Sequence, residues 1–185
     1  MKISFTRRVR IFIAALVLLM LPPAGYFTVY LPVQGNFHSI TAGEAYRSAK
    51  MDRSKLEYYV KKYNIKSIVN LIGADPYKTW YREELQVSAE LRVKHYDITL
   101  SATDEPTKED ARRLVEIFRT APRPVLIHCK AGSDRSGLAA AMWKVAVDKE
   151  PKSEARKQLS FLYGHLPLGK TTALDHFFEQ WEPAL

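Results

Sequence analysis

The pattern of hydrophobic and polar positions divides the chain into an apolar segment near its start and a mixed region after it. Residues 11–33 read IFIAALVLLMLPPAGYFTVYLPV and contain no charged side chain. The residues before this segment include a cluster of four basic side chains, Lys2, Arg7, Arg8 and Arg10. A helix over residues 11–33 is about 34 Å long, enough to cross the hydrocarbon core of a bilayer. The segment therefore predicts a transmembrane helix.

The basic cluster also predicts an orientation, because positively charged flanks stay on the cytoplasmic side of a membrane. Residues 1–33 are then a cytoplasmic basic region followed by an anchor, and residues 34–185 form a domain outside the cytoplasm. In a Gram-negative cell this is a single-pass protein of the inner membrane whose domain faces the periplasm. Two alternatives stay open at this point. In the first, residues 11–21 are the apolar core of a signal peptide, and its cleavage releases the domain into the periplasm. In the second, the apolar segment is a buried helix of the domain itself.

The mixed region alternates between strand-like and helix-like patterns. β-Branched apolar runs predict buried strands, and apolar residues at helical spacing predict amphipathic helices. Residues 34–50 are expected to be extended, with a turn at residues 42–43. The predicted strands after them are residues 65–72, 93–100 and 124–129. The predicted helices are one that begins near residue 52, followed by residues 81–92, 107–120, 136–147, 153–163 and 171–181.

Strands that alternate with helices predict an α/β fold with a central, mostly parallel sheet flanked by helices. The length of 185 residues leaves room for one such domain beside the N-terminal segment. We therefore expect a single domain over residues 34–185, preceded by the N-terminal transmembrane helix.

Composition excludes several classes of protein. A single cysteine rules out an internal disulfide framework and any zinc site that needs several thiolates. Five histidines without HExxH spacing do not indicate a metalloenzyme. The formal net charge of +8 lies partly in the N-terminal cluster. Without a basic run interleaved with aromatic residues, we expect no nucleic-acid partner.

The candidate chemistry is concentrated in residues 128–137, HCKAGSDRSG. An apolar strand ends at Cys129 and a helix begins near Ser136, so the backbone N–H groups between them form a cradle for an anion. Gly132 permits a backbone conformation that a Cβ resists. The cradle and Arg135 stabilise a thiolate at Cys129, and the planar guanidinium of Arg135 binds two oxygens of a tetrahedral anion.

These residues resemble the H-C-x5-R-[S/T] signature of the cysteine-dependent tyrosine and dual-specificity phosphatases. The likeness covers most of residues 36–180, including Tyr46-Arg47-Ser48 and IKSIVNLI at residues 65–72. Among these phosphatases, the chain resembles bacterial members that have an N-terminal export or anchor segment. The resemblance implies that residues 34–185 are a phosphatase domain with the fold of that superfamily.

The resemblance also implies a two-step reaction that needs no metal or cofactor. The Cys129 thiolate attacks phosphorus, and water hydrolyses the resulting cysteinyl-phosphate. Ser136 steadies the thiolate as it leaves in the second step, and His128 helps to lower the pKa of Cys129. We expect Arg47 to be structural, beneath the site. The phosphate is bound by the loop residues Lys130, Ala131, Gly132, Ser133, Asp134 and Arg135.

The general acid is expected to be Asp104, in the loop that follows the strand at residues 93–100. It lies 25 residues before Cys129, less than is usual in the family. Asp134, directly before Arg135, is a competing candidate. Asp97 lies within the strand, and Glu105 is a weaker candidate.

Three functions remain open at this point, and the oligomeric state is also undetermined. The first is hydrolysis of phosphotyrosine in proteins, with phosphoserine or phosphothreonine as further substrates. The second is hydrolysis of a phospholipid or an inositol polyphosphate, which an extra cation at Lys130 and a membrane anchor favour. The third is a module that binds phosphorylated ligands without turnover, although such a module has no need of Cys129.

Overall fold

The computed structural model describes residues 5–183, so Lys2 of the predicted basic cluster lies outside the described residues. The chain divides into two compact units, residues 1–34 and residues 35–185. In the first unit, helix α1 (Phe5–Gly25) is followed by a π-helical turn (Tyr26–Tyr30) and helix α2 (Leu31–Gln34). The stretch Val9–Gln34 is long and apolar enough to cross a membrane, and none of its most apolar window is buried. A membrane anchor and a signal sequence both have these properties, whereas a core helix is buried.

The second unit is built on a five-stranded sheet of order β1-β2-β5-β3-β4. Its strands are β1 (His38–Thr41), β2 (Ala45–Ala49), β3 (Ser67–Asn70), β4 (Lys94–Asp97) and β5 (Val125–Cys129). β1 pairs antiparallel with β2, and all other pairs are parallel. This confirms the predicted α/β fold with a mostly parallel sheet.

Helices cover both faces of the sheet. They are α3 (Arg53–Lys62), α4 (Thr79–Glu90), α5 (Lys108–Thr120), α6 (Asp134–Ala146), the short α7 (Lys152–Ala155) and α8 (Thr172–Gln180). Alternate residues of β5 belong to different cores. Val125 and Ile127 pack with side chains of α5, α6 and α8, whereas Leu126 packs with side chains of α3 and α4.

The sequence explains why these elements form where they do. All four residues of β3 and all five of β5 are buried, as expected for central parallel strands. Helix α5 begins with a capping box in which Thr107 and Asp110 exchange side-chain and backbone hydrogen bonds.

The helix predicted for residues 153–163 is wrong as a single element. α7 gives way to 3₁₀ turns at Arg156–Gln158 and Phe161–Tyr163, and Gly164 ends the segment with a φ of 81°. The backbone carbonyl of Gln158 accepts a hydrogen bond from Arg47 Nη1 at 2.6 Å. The donor of this bond is distant along the chain, so a tertiary contact overrides the local helical pattern at residues 153–163.

Candidate active site

The loop from Cys129 to Arg135 connects the end of β5 to the start of α6, at the carboxyl edge of the parallel strands. Cys129 is 3% exposed. Its Sγ accepts a hydrogen bond from the backbone N–H of Gly132 at 3.3 Å and lies 3.5 Å from Ser136 Oγ. The Gly132 N–H donates to sulfur, either atom can be the donor in the contact between Sγ and Ser136 Oγ, and the N-terminus of α6 adds a dipole that favours negative charge. The sulfur therefore lies beside N–H groups and a helix N-terminus that can bind an anion.

Both the backbone conformation and the surroundings of position 132 require a glycine. Its φ is 76°, in the left-handed region. A Cβ at this position meets the backbone N of Ala49 at 2.6 Å and the backbone C of Ser48 at 2.8 Å. The loop therefore packs directly against the end of β2, with no room for a side chain.

Arg47 holds the loop from below, as the sequence predicted. It is wholly buried, and its Nη2 donates to the carbonyls of Gly132 at 3.0 Å and Ser133 at 2.9 Å. Because C=O and N–H point in opposite directions across a trans peptide, these bonds turn the following N–H groups away from Arg47. Burial lowers the pKa of Arg47 to about 10 against the attraction of Cys129, and the guanidinium stays charged at neutral pH.

Asn36 is a second support that sequence reasoning missed. Its Nδ2 donates to the carbonyl of Ala131 at 3.0 Å and to that of Tyr163 at 2.9 Å, while its Oδ1 accepts from His38 Nε2 at 2.9 Å. Asn36 thus links the loop from Cys129 to Arg135, called here the phosphate loop, to the segment after α7. No local signal marks it, because its partner Ala131 is 95 positions away.

Arg135 is tethered to the ends of two neighbouring chain segments. Its Nη1 donates to the carbonyls of Leu71 at 3.3 Å and Leu100 at 3.2 Å. These bonds place the guanidinium beside the residues that follow β3 and β4. They restrict its motion, which favours a pre-organised clamp for an anion.

His128 belongs to a buried polar network that the sequence did not indicate. Its Nε2 lies 3.1 Å from Glu84 Oε1, and the same oxygen is 2.8 Å from His95 Nε2. Burial alone raises the pKa of Glu84, but the charges and hydrogen bonds of His128 and His95 outweigh it and lower that pKa to about 2. Glu84 is therefore a buried carboxylate that orients the histidine next to Cys129.

The structure places Asp134 in a second buried network. Its Oδ1 is 2.8 Å from His165 Nδ1, and His165 Nε2 is 3.0 Å from Asp175 Oδ2 on α8. Burial disfavours a charged ring, but the two carboxylates outweigh it and raise the pKa of His165. Asp134 is thus engaged in holding the loop against α8.

Asp104 lies in an exposed turn. Its carboxylate accepts hydrogen bonds from Ser101 Oγ at 2.6 Å and Thr103 Oγ1 at 3.2 Å. These bonds lower the pKa of Asp104, so the carboxylate form is favoured in this conformation. A general acid must carry a proton when the leaving group departs, which this conformation opposes.

The other acidic candidates and Lys130 have different surroundings. The Asp97 carboxylate accepts hydrogen bonds from Asn70 Nδ2 at 2.8 Å and Tyr81 Oη at 2.6 Å, which ties it into the fold. Glu105 lines a cleft of about 860 Å³ whose other lining residues belong to α5, α8 and the segments beside them. Lys130 is exposed.

The comparisons with known proteins agree with this geometry. The domain is similar to TpbA of P. aeruginosa, with 21% identity, a TM-score of 0.64, and coverage of 80% of this chain and 85% of that chain. It is also similar to the PP-IP phosphatase SIW14 of S. cerevisiae, with 21% identity, a TM-score of 0.63 and the same coverage. For PTPMT1 the identity is 18% and the TM-score 0.56, over 78% of this chain and 94% of that chain.

These likenesses establish the fold. No curated protein sequence matches the chain significantly. The family described as "DSP-PTPase phosphatase fused to NAD+ Kinase" matches residues 34–171. The chain belongs to that family, and so to the cysteine-dependent phosphatases of the dual-specificity type.

Proposed function

We propose that the protein is a membrane-tethered phosphomonoesterase that acts on phosphotyrosine in proteins, with Cys129 as nucleophile. The contact that carries this proposal is the hydrogen bond from the Gly132 N–H to Cys129 Sγ, because it holds the sulfur beside the N–H groups of the anion cradle. The solved structures that resemble the domain include a TpbA variant in complex with phosphotyrosine.

In the first step, the Cys129 thiolate forms an S–P bond while the P–O bond to the leaving group breaks. The N–H groups of residues 130–135 and the Arg135 guanidinium bind the equatorial oxygens. In the second step, water attacks phosphorus and the thiolate leaves, releasing inorganic phosphate. Ser136 Oγ, 3.5 Å from sulfur, stabilises the departing thiolate, and His128 supports the same charge.

Asp104 is proposed as the general acid that protonates the leaving oxygen and then takes a proton from water. Its loop is exposed, so it is accessible to a bound substrate. The approach of a phosphomonoester brings negative charge and excludes water, and both effects raise the pKa of a nearby carboxyl.

A second candidate function is hydrolysis of an inositol polyphosphate or a phospholipid phosphate. Lys130, directly after the nucleophile and exposed, favours substrates with more than one phosphate. The similar structures include a PP-IP phosphatase.

Phosphate release by the full chain in detergent, compared with Cys129→Ser, tests both functions. The substrates are a phosphotyrosine peptide, a phosphoserine peptide, an inositol polyphosphate and a phosphatidic acid. We expect the tyrosine peptide to be hydrolysed fastest and Cys129→Ser to lose at least about 1,000-fold in rate. Preference for the inositol or lipid substrate supports the second candidate. No release that depends on Cys129 supports a module that only binds phosphorylated ligands.

The proposed location is the inner membrane, with the domain facing the periplasm, or the periplasm itself if the N-terminal segment is cleaved. The apolar stretch Val9–Gln34 and the basic residues at and before its start support this location.

A further inference from the structure

The segment of residues 160–169, called here the apolar loop, exposes large apolar side chains. Phe161 is 58% exposed, Leu166 56% and Leu168 72%. The chain from Ala155 to Leu174 contains no acidic residue, and Lys170 lies beside the loop. Asp134 and Asp175 bind the buried His165 of this loop, and Asp104 is close enough to interact with Lys170. Clustered exposed apolar residues with a basic residue beside them are typical of surfaces that bind membranes.

The apolar loop is fastened to the phosphate loop at three points. The carbonyl of Tyr163 and the carbonyl of Ala131 share one donor, Asn36 Nδ2. The ring of Tyr163 lies under the Arg47 guanidinium, with 4.4 Å between Cζ and the ring centroid. The third point is the hydrogen bond between His165 and Asp134. The apolar loop therefore lies at the edge of the candidate active site.

The apolar loop is also close in the chain to the candidate membrane span. That span ends at Gln34, and Asn36, which binds Tyr163, follows two positions later. Two residues of extended chain reach about 7 Å. If the span crosses a bilayer, Asn36 and the loop that it holds are confined to the region of the membrane surface.

We propose that the apolar loop docks the catalytic domain onto the lipid bilayer, with Phe161, Leu166 and Leu168 inserted at the interface and Lys170 near anionic headgroups. The proposal rests on the proposed anchor and refines the proposed function. The phosphate loop then works at the bilayer surface, on phosphomonoesters presented there.

A direct test is fluorescence quenching by brominated lipids. The full chain is reconstituted in vesicles of phosphatidylcholine with a minority of phosphatidylglycerol, with and without bromine on the acyl chains. The variant Leu168→Trp places a reporter in the apolar loop, and Leu85→Trp on α4 replaces another exposed leucine as the matched control. The span contains no tryptophan, so the native Trp80, Trp143 and Trp181 give the same background in both variants.

We expect bromine to quench the added emission of Leu168→Trp at least about two-fold and to leave that of Leu85→Trp unchanged, because quenching needs contact with the acyl chains. Equal emission from Leu168→Trp in both kinds of vesicle overturns the proposal. In that case the loop is covered by another part of the protein or by a protein partner.

An activity test separates this proposal from the proposed function. In the double variant Phe161→Ser/Leu168→Ser, we expect release from a phosphotyrosine peptide carried on a lipid anchor in vesicles to fall about ten-fold or more, because the lost apolar area weakens docking. Release from a soluble aryl phosphate is expected to be unchanged. Equal losses on both substrates, or no loss on either, contradict docking. If the unaltered chain releases no phosphate from the soluble ester, the proposed function fails, while the quenching measurement still decides on docking.

Discussion

At the scale of single residues, Asp104 and Asp134 differ in what holds them. The hydrogen bonds described for Asp104 all come from its own exposed turn, whereas Asp134 is bound to the buried His165. We expect Asp104→Asn to slow hydrolysis of esters with poor leaving groups by about 100-fold, and activated aryl esters much less. Rates across a series of aryl phosphates measure this difference.

Asp134→Asn is the matched control for that series. Its expected effect is a similar loss for every leaving group, because the change loosens the loop without removing a proton donor. If Asp134→Asn alone shows dependence on the leaving group, Asp134 is the general acid and the assignment of Asp104 is wrong.

The sequence predicts those site residues that lie close together along the chain. Cys129, Gly132 and Arg135 lie within seven positions of one another, and their chemistry follows from a strand, a loop and a helix in succession. Glu84 is 44 positions from His128, and His165 is 31 positions from Asp134. Such partners are brought together only by the packing of helices on the sheet, so no local pattern marks them.

At the scale of elements, the phosphate loop depends on Gly132, and Gly43 offers a matched control. Their φ values are 76° and 77°, but a Cβ on Gly43 meets nothing within 4 Å. We expect Gly43→Ala to lower the free energy of unfolding by about 1 kcal/mol and to retain phosphatase activity. Gly132→Ala adds a clash with β2, so we expect a larger loss of stability, about 2–4 kcal/mol, and loss of turnover.

Denaturant unfolding and phosphate release measure the two effects on the same preparations. Equal stability losses for the two glycine variants contradict the close approach of the loop to the end of β2.

The connection between the phosphate loop and α8 is expected to depend on pH. His165, which is 0% exposed, has a raised pKa because its hydrogen bonds to Asp134 and Asp175 outweigh burial. A raised pKa in the folded state adds stability below the unfolded value of about 6.5, and this contribution is lost as pH rises through the folded value. We therefore expect the free energy of unfolding to fall as the pH rises from about 6.5 through the folded-state pKa of His165.

His165→Gln removes the titrating group and is expected to flatten this part of the pH profile. Denaturant melts at a series of pH values compare the two proteins. A profile of the same slope in His165→Gln assigns the pH dependence to another group.

Element prediction was most accurate where a segment is continuous and buried. The strands at β3 and β5 and the capped helix α5 lie where β-branched runs and a capping box predicted them. It was wrong for residues 153–163, where Arg47 binds the carbonyl of Gln158. The apolar positions Leu159 and Leu162 fit a helix. The charged residue whose contact interrupts that helix, Arg47, belongs to β2.

At the scale of the whole molecule, alternation of strands and helices was enough to predict the α/β fold. The sheet order β1-β2-β5-β3-β4 was not predicted, because several orders satisfy short right-handed connections. The order matters for function, since it places β5 at the centre. The end of β5, where Cys129 lies, is thereby flanked by the ends of β2 and β3.

We infer the orientation of the chain from Lys2, Arg7, Arg8 and Arg10, which precede the apolar residues 11–33. We expect alkaline phosphatase fused after residue 185 to be active, because that reporter folds only outside the cytoplasm, and a fluorescent protein that matures only in the cytoplasm to be dark. Replacing Lys2, Arg7, Arg8 and Arg10 by Gln removes the charge bias and is expected to produce both orientations. An active cytoplasmic reporter on the unaltered chain contradicts the proposed topology.

The same fusion separates an anchor from a signal peptide. An uncleaved anchor keeps the fusion in the membrane fraction at its full mass, whereas cleavage releases a shorter product into the soluble fraction. Asn36, which supports the phosphate loop, lies two residues after the span, so cleavage close to Gln34 would remove the tether while leaving Asn36 in the domain. We expect the membrane-bound form, in which the tether keeps the active site at the bilayer surface.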